Sequence, residues 1–215
     1  PGAVVVSDLA ITTIGLQIAG QALRFERITF NSNNNVSAGS SVEFVNSIFS
    51  NAGNDALNIL GDAAVVLENC TLTDNDTGVR VGATGSVQIL NSIITGNTTA
   101  DLVGVPLAAV SYSLTGDAGF TGSNGNIGGN PLFVAPQSGN YHLQPNSPAI
   151  DAGDPLSDFS LEPPSGVGRI NMGRYGNTAE AAVVPVDADG DGLSDPVAAG
   201  LGTDPLNGDT DGEGL

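Results

Sequence analysis

The sequence predicts an all-β solenoid, a chain wound into short stacked coils, and three observations support this prediction. Apolar residues recur in aligned columns at an interval of about twenty residues. Thirty glycines and twelve prolines, with no tryptophan, favour many short strands joined by tight turns. Between the turns, apolar and polar residues alternate as they do in half-buried strands. One coil cannot bury its apolar face alone, so the coils must stack.

Four aligned columns define the repeat. The reference column is a bend position occupied by Asp8, Arg27, Asn46, Asn69, Asn91 and Ser111. The column four residues earlier is Val4, Leu23, Val42, Val65, Val87 and Leu107. Two residues before the bend lie Val6, Phe25, Phe44, Leu67, Ile89 and Ala109, and three after it lie Ile11, Phe30, Phe49, Leu72, Ile94 and Leu114. We therefore expect about five or six coils, with the asparagines of the bend column hydrogen-bonded along the stack.

The charge of the chain excludes two classes of partner. Five arginines, no lysine and 23 acidic residues give a formal net charge of −18. A nucleic acid or an anionic membrane surface would be repelled, whereas divalent cations are attracted. No segment reaches the about 20 consecutive apolar residues of a membrane helix, so no membrane insertion is expected.

The repeat resembles the right-handed parallel β-helix of the pectate-lyase-like superfamily. The resemblance implies a fold that also carries enzymes, which use clustered carboxylates, often with calcium, and a lysine or arginine base. Here the only basic residues of the repeat region are Arg24, Arg27 and Arg80, and neighbouring coils offer no evident acidic cluster. Asp74 and Asp76 have the sequence context of turn residues. We therefore predict no catalytic residues, and a carbohydrate-active β-helix remains the alternative.

Residues 131–180 have a sequence pattern different from that of the repeat and form the predicted cap. The segments Asn130–Val134, Tyr141–Leu143, Ser147–Gly153 and Arg169–Tyr175 resemble the end of the choice-of-anchor Q domain of bacterial surface proteins. The sequence departs from that pattern at Asn171 and at Arg174–Gly176. A solenoid needs its last coil covered, so we expect this segment to cap it. His142 and the single cysteine, Cys70, are predicted to be packing residues.

The acidic tail, residues 181–215, carries the pattern of a calcium loop. Carboxylates alternate along the chain and a glycine, Gly192, follows the third, as in the first half of an EF-hand loop. The predicted ligands are Asp187, Asp189, Asp191, the Leu193 carbonyl and Asp195, with Asp204, Asp209, Asp211 and Glu213 in a truncated second copy. The tail resembles thrombospondin type 3 repeats, which implies Ca²⁺. Ala198 stands where the loop normally has a bidentate glutamate, and a disordered acidic linker is the alternative.

Together these features predict three parts: coils over residues 1–130, the cap over 131–180 and the tail over 181–215. The expected function is a non-catalytic structural or adhesive module, secreted and displayed at the cell surface, with calcium stiffening its tail. Val4 and Val6 already belong to apolar columns, so we expect copies to associate end to end unless upstream coils cover that edge. Carbohydrate is the other candidate partner.

Overall fold

The structure is a computed structural model that describes residues 4–11, 15–164, 168–184, 202–204 and 206–207. Its strands are short, and two 3₁₀ turns lie at Leu107–Ala109 and Pro136–Ser138. In chain order the strands are β1 (Val4–Ser7), β2 (Ala10–Ile11), β3 (Gln17–Ile18), β4 (Ala22–Glu26), β5 (Thr29–Phe30), β6 (Asn34–Val36), β7 (Ser41–Val45), β8 (Ile48–Ser50), β9 (Asp55–Ile59), β10 (Ala64–Glu68), β11 (Thr71–Thr73), β12 (Thr77–Val81), β13 (Ser86–Leu90), β14 (Ile93–Ile94), β15 (Ala100–Val103), β16 (Val110–Ser111), β17 (Leu114–Thr115), β18 (Phe133–Ala135) and β19 (Asn140–Leu143).

These strands form a parallel β-helix, which confirms the predicted fold class. Every third strand joins the same sheet: sheet 1 has six strands (β1, β4, β7, β10, β13, β16), sheet 2 has six (β2, β5, β8, β11, β14, β17) and sheet 3 has five (β3, β6, β9, β12, β15). Each coil thus contributes one strand to each sheet. Coils 1 to 5 begin at β1, β4, β7, β10 and β13, and β16 and β17 start a sixth.

The core is built from the predicted columns. Phe44, Leu67 and Ile89 are paired in register on neighbouring strands of sheet 1 and are almost fully buried. Four phenylalanines form a compact cluster, in which Phe25 stacks on Phe44 at 5.2 Å and Phe30 on Phe49 at 4.6 Å between ring centroids. Edge-to-face contacts join the two stacks.

The predicted register is wrong by one residue in the last coil. Leu90 pairs with Ser111, so the bend position next to Asn91 belongs to Tyr112. The 3₁₀ turn Leu107–Ala109 causes the shift, because it replaces the beginning of the sixth strand in sheet 1. Leu107 is consequently 43% exposed, and Val110 occupies the column beside Ile89.

A polar ladder runs inside the solenoid, where each rung satisfies a backbone amide of the coil before it. The backbone N–H of Ile28 donates to Ser47 Oγ (3.2 Å), that of Cys70 to Ser92 Oγ (3.1 Å) and that of Ser92 to Ser113 Oγ (3.0 Å). Cys70 occupies one rung and is fully buried, as predicted. Burial raises the pKa of its thiol to about 12, so it stays protonated and unreactive.

The covering of the last coil differs from the prediction. Residues 116–128 fold across it: the Thr115 N–H donates to the Ile127 carbonyl (3.0 Å), and Asn126, which is buried, donates to the Val110 carbonyl (2.9 Å). Phe120 packs against the solenoid core from the same segment. Residues 131–164 and 168–180 instead run back along the outside of the coils, where the hairpin β18–β19 and parts of the chain after it pack on sheet 2.

Candidate functional site

The bend column binds a C-terminal segment of the chain to the outside of the solenoid. Its members Asp8, Arg27, Asn46, Asn69, Asn91 and Tyr112 all have positive φ, a conformation that asparagine tolerates better than most residues. The three asparagines lie in one column, as predicted, but the predicted hydrogen bonds along the stack are wrong. Their side chains point outward instead and bind the C-terminal segment.

We call residues 169–177 the strap, because this segment crosses four coils. The Asn46 amide donates to the carbonyls of Arg174 and Gly176, both at 2.8 Å. The Asn69 amide donates to the Asn171 carbonyl (3.0 Å). The Gly173 N–H donates to the Asn91 carbonyl (2.7 Å), and the Arg174 guanidinium donates to the Ile28 carbonyl (3.4 Å). Coils 2 to 5 are therefore tied to one short segment.

A cleft of about 510 Å³ lies where the strap and the loop before it face sheet 1. The charged side chains that line it are Arg24, Glu26, Arg27, Glu68 and Asp158. Glu26 and Glu68 both pair with Val45 across sheet 1, which places them two strands apart in one column, about 10 Å between backbones. The cleft therefore gathers acidic groups from positions far apart in the sequence.

The two arginines of the cleft are bound to carboxylates on their own and adjacent coils. Arg24 contacts Glu26 at 2.7 Å and Glu43 at 2.5 Å. Arg27 binds both oxygens of Asp8, at 2.6 and 2.8 Å. Hydrogen bonds to these carboxylates raise the pKa of both guanidinium groups. A catalytic base must release its proton near neutral pH, and these contacts hold the proton more firmly.

Among the described residues, the carboxyl groups with raised pKa lie away from the lining of the cleft. Burial raises the pKa of Glu162 and of Asp101, and neither lines the cleft. Asp158 does line it, and the backbone N–H of Ser160 holds the pKa of that carboxyl below its usual range. A glycosidase acid needs a carboxyl that remains protonated near neutral pH, so these three carboxyls do not form such a site.

Glu162 accepts two backbone hydrogen bonds from the strap, and this gives a testable prediction. Its Oε1 accepts the backbone N–H groups of Asn171 (2.9 Å) and Asn177 (2.7 Å). Glu162→Ala leaves both donors without this acceptor and is expected to lower the free energy of unfolding by about 1–3 kcal/mol. Glu162→Gln retains the acceptor oxygen and removes the charge that burial disfavours, so it is expected to be more stable than the wild type at neutral pH. Urea denaturation measures both effects.

The pH dependence of the Glu162 variants follows from the same burial. The folded-state pKa is raised above the ordinary value of 4.5, so the neutral carboxyl favours folding. This stabilisation is present below the unfolded-state pKa and is lost as the pH rises through the folded-state pKa. The wild type loses this stabilisation as the pH rises, whereas Glu162→Gln does not. The stability advantage of Glu162→Gln over the wild type is therefore expected to increase from acid to neutral pH. A difference that does not change with pH would contradict the assignment.

The remaining residues singled out in the sequence have structural surroundings or lie outside the described residues. Arg80 binds Asp55 at 2.7 Å, and Asp76 accepts the Thr98 hydroxyl at 3.2 Å. His142 stacks on Tyr175 at 3.7 Å between ring centroids, which agrees with the predicted packing role.

Of the predicted calcium ligands, only Asp204 is within the described residues, where it is exposed and its Oδ1 accepts the Leu206 N–H at 3.0 Å. The others, Asp187, Asp189, Asp191, Leu193, Asp195, Asp209, Asp211 and Glu213, lie outside them. Within the described part of the chain, no three histidine, cysteine or acidic residues converge as a metal site. The same part contains no helix long and apolar enough to span a membrane.

A protein-family model described as a right handed beta helix region matches residues 12–138, more than half of the 215-residue chain. The match agrees with the parallel coils and supplies the right-handed sense of their winding. Searches of curated proteins and of solved structures gave no match.

Proposed function

The chain belongs to the right-handed beta helix family, and from this premise we propose that it is a non-catalytic structural or adhesive module of the extracellular space. The observation that supports the proposal most strongly is that the arginines of the coils are ion-paired with carboxylates of other coils. Arg24 binds Glu43 of the next coil, Arg27 binds Asp8 of the preceding coil, and Arg80 binds Asp55 of the preceding coil. Each arginine of the coils therefore links one coil to another.

The surface of the coils supports the same proposal. A lyase on this fold would need a base that releases its proton, and the contacts of Arg24 and Arg27 oppose that release. Most of the side-chain amides of the bend column are used to hold the strap. The polar groups of this face thus contribute to rigidity, which is the property that a stalk or display module requires.

Incubation with acidic and neutral polysaccharides tests the proposal. We expect no unsaturated product and no new reducing ends with polygalacturonate, alginate, xylan or β-glucan, with or without calcium. Product formation by the wild-type chain that is lost in Glu68→Gln would contradict the proposal. Asp62→Asn, an acidic position away from the cleft lining, is the matched control for the loss of one charge.

A carbohydrate-active β-helix is the second candidate function, and the 510 Å³ cleft is the observation that favours it. Glu68 and Asp158 line the cleft with Glu26, so several carboxylates face the same space. Under this alternative, Glu68→Gln abolishes turnover while leaving the unfolding transition of the wild type unchanged. The polysaccharide assay therefore separates the two candidates.

We also propose that the tail binds calcium. The support is the alternation of Asp187, Asp189 and Asp191 ahead of a glycine, and the resemblance of the tail to thrombospondin type 3 repeats. Calorimetry is expected to detect calcium binding to the intact chain. Ala198→Glu restores the carboxylate usually found at the last position of the loop, so it should bind calcium more tightly. Absence of binding heat from both the wild type and Ala198→Glu would favour an acidic linker. Ala198→Gln is the control, because it adds a side chain of similar size without the charge.

A further inference from the structure

The cleft of about 510 Å³ on sheet 1 contains two carboxylates without a cationic partner. Its two arginines are already bound to other carboxylates. Within the described part of the chain, Glu68 and Asp158 form no ion pair. The neighbours of Glu68 in its column of sheet 1 are Val45 and Leu90, whose apolar side chains cannot donate to it. The cleft therefore keeps negative charge that the protein itself does not neutralise.

The bend column adds two hydrogen-bond acceptors to the same cleft. The side-chain nitrogens of Asn46 and Asn69 donate to the strap, and both residues line the cleft. Their side-chain oxygens remain accessible and accept no hydrogen bond from any described residue. Because Asn69 is only 3% exposed, the cleft that it lines is where a donor can reach this oxygen. A carboxylate and two amide oxygens thus face the cleft without donors from the protein.

Hydrogen bonds within the protein hold these acceptors in place before a ligand arrives. The strap binds the side-chain amides of Asn46 and Asn69 at 2.8 and 3.0 Å. At the rim, Asp158 accepts the backbone N–H of Ser160 at 3.0 Å, and this bond holds the pKa of the Asp158 carboxyl below its usual range. Asp158 therefore stays charged at neutral pH. A ligand meets acceptors that are already oriented, which lowers the entropy cost of binding.

The chemistry of these acceptors restricts the class of ligand. An anion would be repelled by the unpaired carboxylates and by a chain of net charge −18. Calcium takes about 6–8 oxygen ligands, and among the described residues no three histidine, cysteine or acidic residues converge as a metal site. A guanidinium group carries several N–H donors in one plane and no acceptor, and it binds a carboxylate through two parallel hydrogen bonds. The acceptors of the cleft therefore suit a guanidinium group.

Apolar surface beside the acceptors indicates that the guanidinium group belongs to a protein. Leu161 lines the cleft and is 64% exposed, and Leu156 on the same loop is 92% exposed. Exposed apolar side chains next to a polar cleft are typical of protein contact sites, and a free small cation would leave them uncovered. The five arginines of this chain are all bound to carboxylates or carbonyls of the chain itself, so a second copy is not the partner.

We propose that this cleft binds an arginine side chain of another protein. The guanidinium group donates to the Glu68 carboxylate and to the side-chain oxygen of Asn69, and the aliphatic stem packs on Val45 and Leu161. Asp158 contributes a second negative charge at the rim. The inference goes beyond the proposed structural or adhesive role, because it names a chemical class of partner. It does not rest on that role, since it depends only on the cleft and its acceptors.

Calorimetric titration of the full chain tests the proposal. The probe is a pentapeptide, capped at both ends, with a central arginine between two glycines and a leucine at each end. One comparator carries citrulline in place of arginine, which keeps the shape and removes the charge, and the other is N-acetylarginine amide. We expect the arginine peptide to bind, the citrulline peptide to bind at least about tenfold more weakly, and the free amide to bind more weakly than the peptide. Added salt should weaken binding of the arginine peptide.

Two variants that each remove one negative charge locate the site. Glu68→Gln should weaken binding of the arginine peptide by about tenfold, which corresponds to about 1.4 kcal/mol, and should unfold at the wild-type temperature. Asp62→Asn lies away from the cleft lining and should bind the peptide normally.

Four outcomes would overturn the proposal: no binding of the arginine peptide, equal binding of the citrulline peptide, equal binding of the free amide, or wild-type affinity in Glu68→Gln. The polysaccharide assay is independent of this titration, because it measures turnover and not peptide binding. Failure of the peptide to bind therefore leaves the proposed non-catalytic role unaffected, and the two proposals can fail separately.

Discussion

Phe44→Ala is expected to lower the free energy of unfolding by about 3–5 kcal/mol, the range for removing a fully buried phenylalanine. Phe44 has no exposed surface and stacks on Phe25, and its ring meets Phe30 and Phe49 edge to face. The cavity would open in the middle of three successive coils. Rigid backbone ladders on both sides limit collapse into that space, so the cost should lie towards the upper end of the range.

Guanidinium denaturation of Phe44→Ala and of Phe159→Ala measures this effect. Phe159 is 37% exposed on the loop before the strap, so the same chemical change there should cost less than about 1 kcal/mol. Equal losses for the two variants would show that the phenylalanine cluster does not carry the stability inferred for it. Leu67→Ala, one strand further along the same column, is expected to cost about 2–5 kcal/mol.

Gly176→Ala should detach the strap, with a cost of about 1–3 kcal/mol from overpacking. A methyl group at this position would lie 2.0 Å from the Asn69 side-chain nitrogen and 2.2 Å from the Asn171 carbonyl oxygen. The backbone oxygen cannot rotate away, so the strap itself must move. That movement breaks the hydrogen bonds from Asn46 and Asn69 that hold it against the coils.

Limited proteolysis combined with urea denaturation checks the Gly176 prediction. Gly176→Ala should be cleaved within residues 150–180 faster than the wild type, while the fragment that contains the coils persists. Gly119→Ala is the matched control, because a methyl group there has no neighbour within 4 Å and its φ is not in the left-handed region. Unchanged cleavage of Gly176→Ala would mean that the strap does not depend on this close approach.

The coils could be predicted because their signal is local. Every coil repeats one pattern of apolar columns, and a register confirmed at Leu67 extends to Phe44 and Ile89 by spacing alone. The prediction failed where local geometry interrupts the pattern. The 3₁₀ turn before β16 moves the bend of the last coil one residue later than the apolar spacing predicts. Tyr112 therefore follows Asn91 in the bend column, and the spacing alone does not indicate this.

The two clefts could not be predicted, because chain segments far apart in the sequence build them. The Asn46 side chain binds a carbonyl 128 residues later, and nothing near Asn46 indicates that partner. Tyr141 and Asn31 likewise line a second, smaller cleft on sheet 2, although one lies in the hairpin and the other in coil 2. The sequence indicated that asparagines occupy the bends, but their choice of partner depends on the path of the returning chain. Calcium binding by the tail stays a prediction.

The strap changes how the coils are expected to come apart. In a linear array each unit contacts only its neighbours, so the terminal unit can fray while the others remain folded. Here Arg174 binds the backbone of coils 2 and 3, and Gly173 binds coil 5, so opening any of them disturbs a segment shared by the others. Coils 2 to 5 should therefore open as one cooperative unit, with amide hydrogens of similar protection along that length.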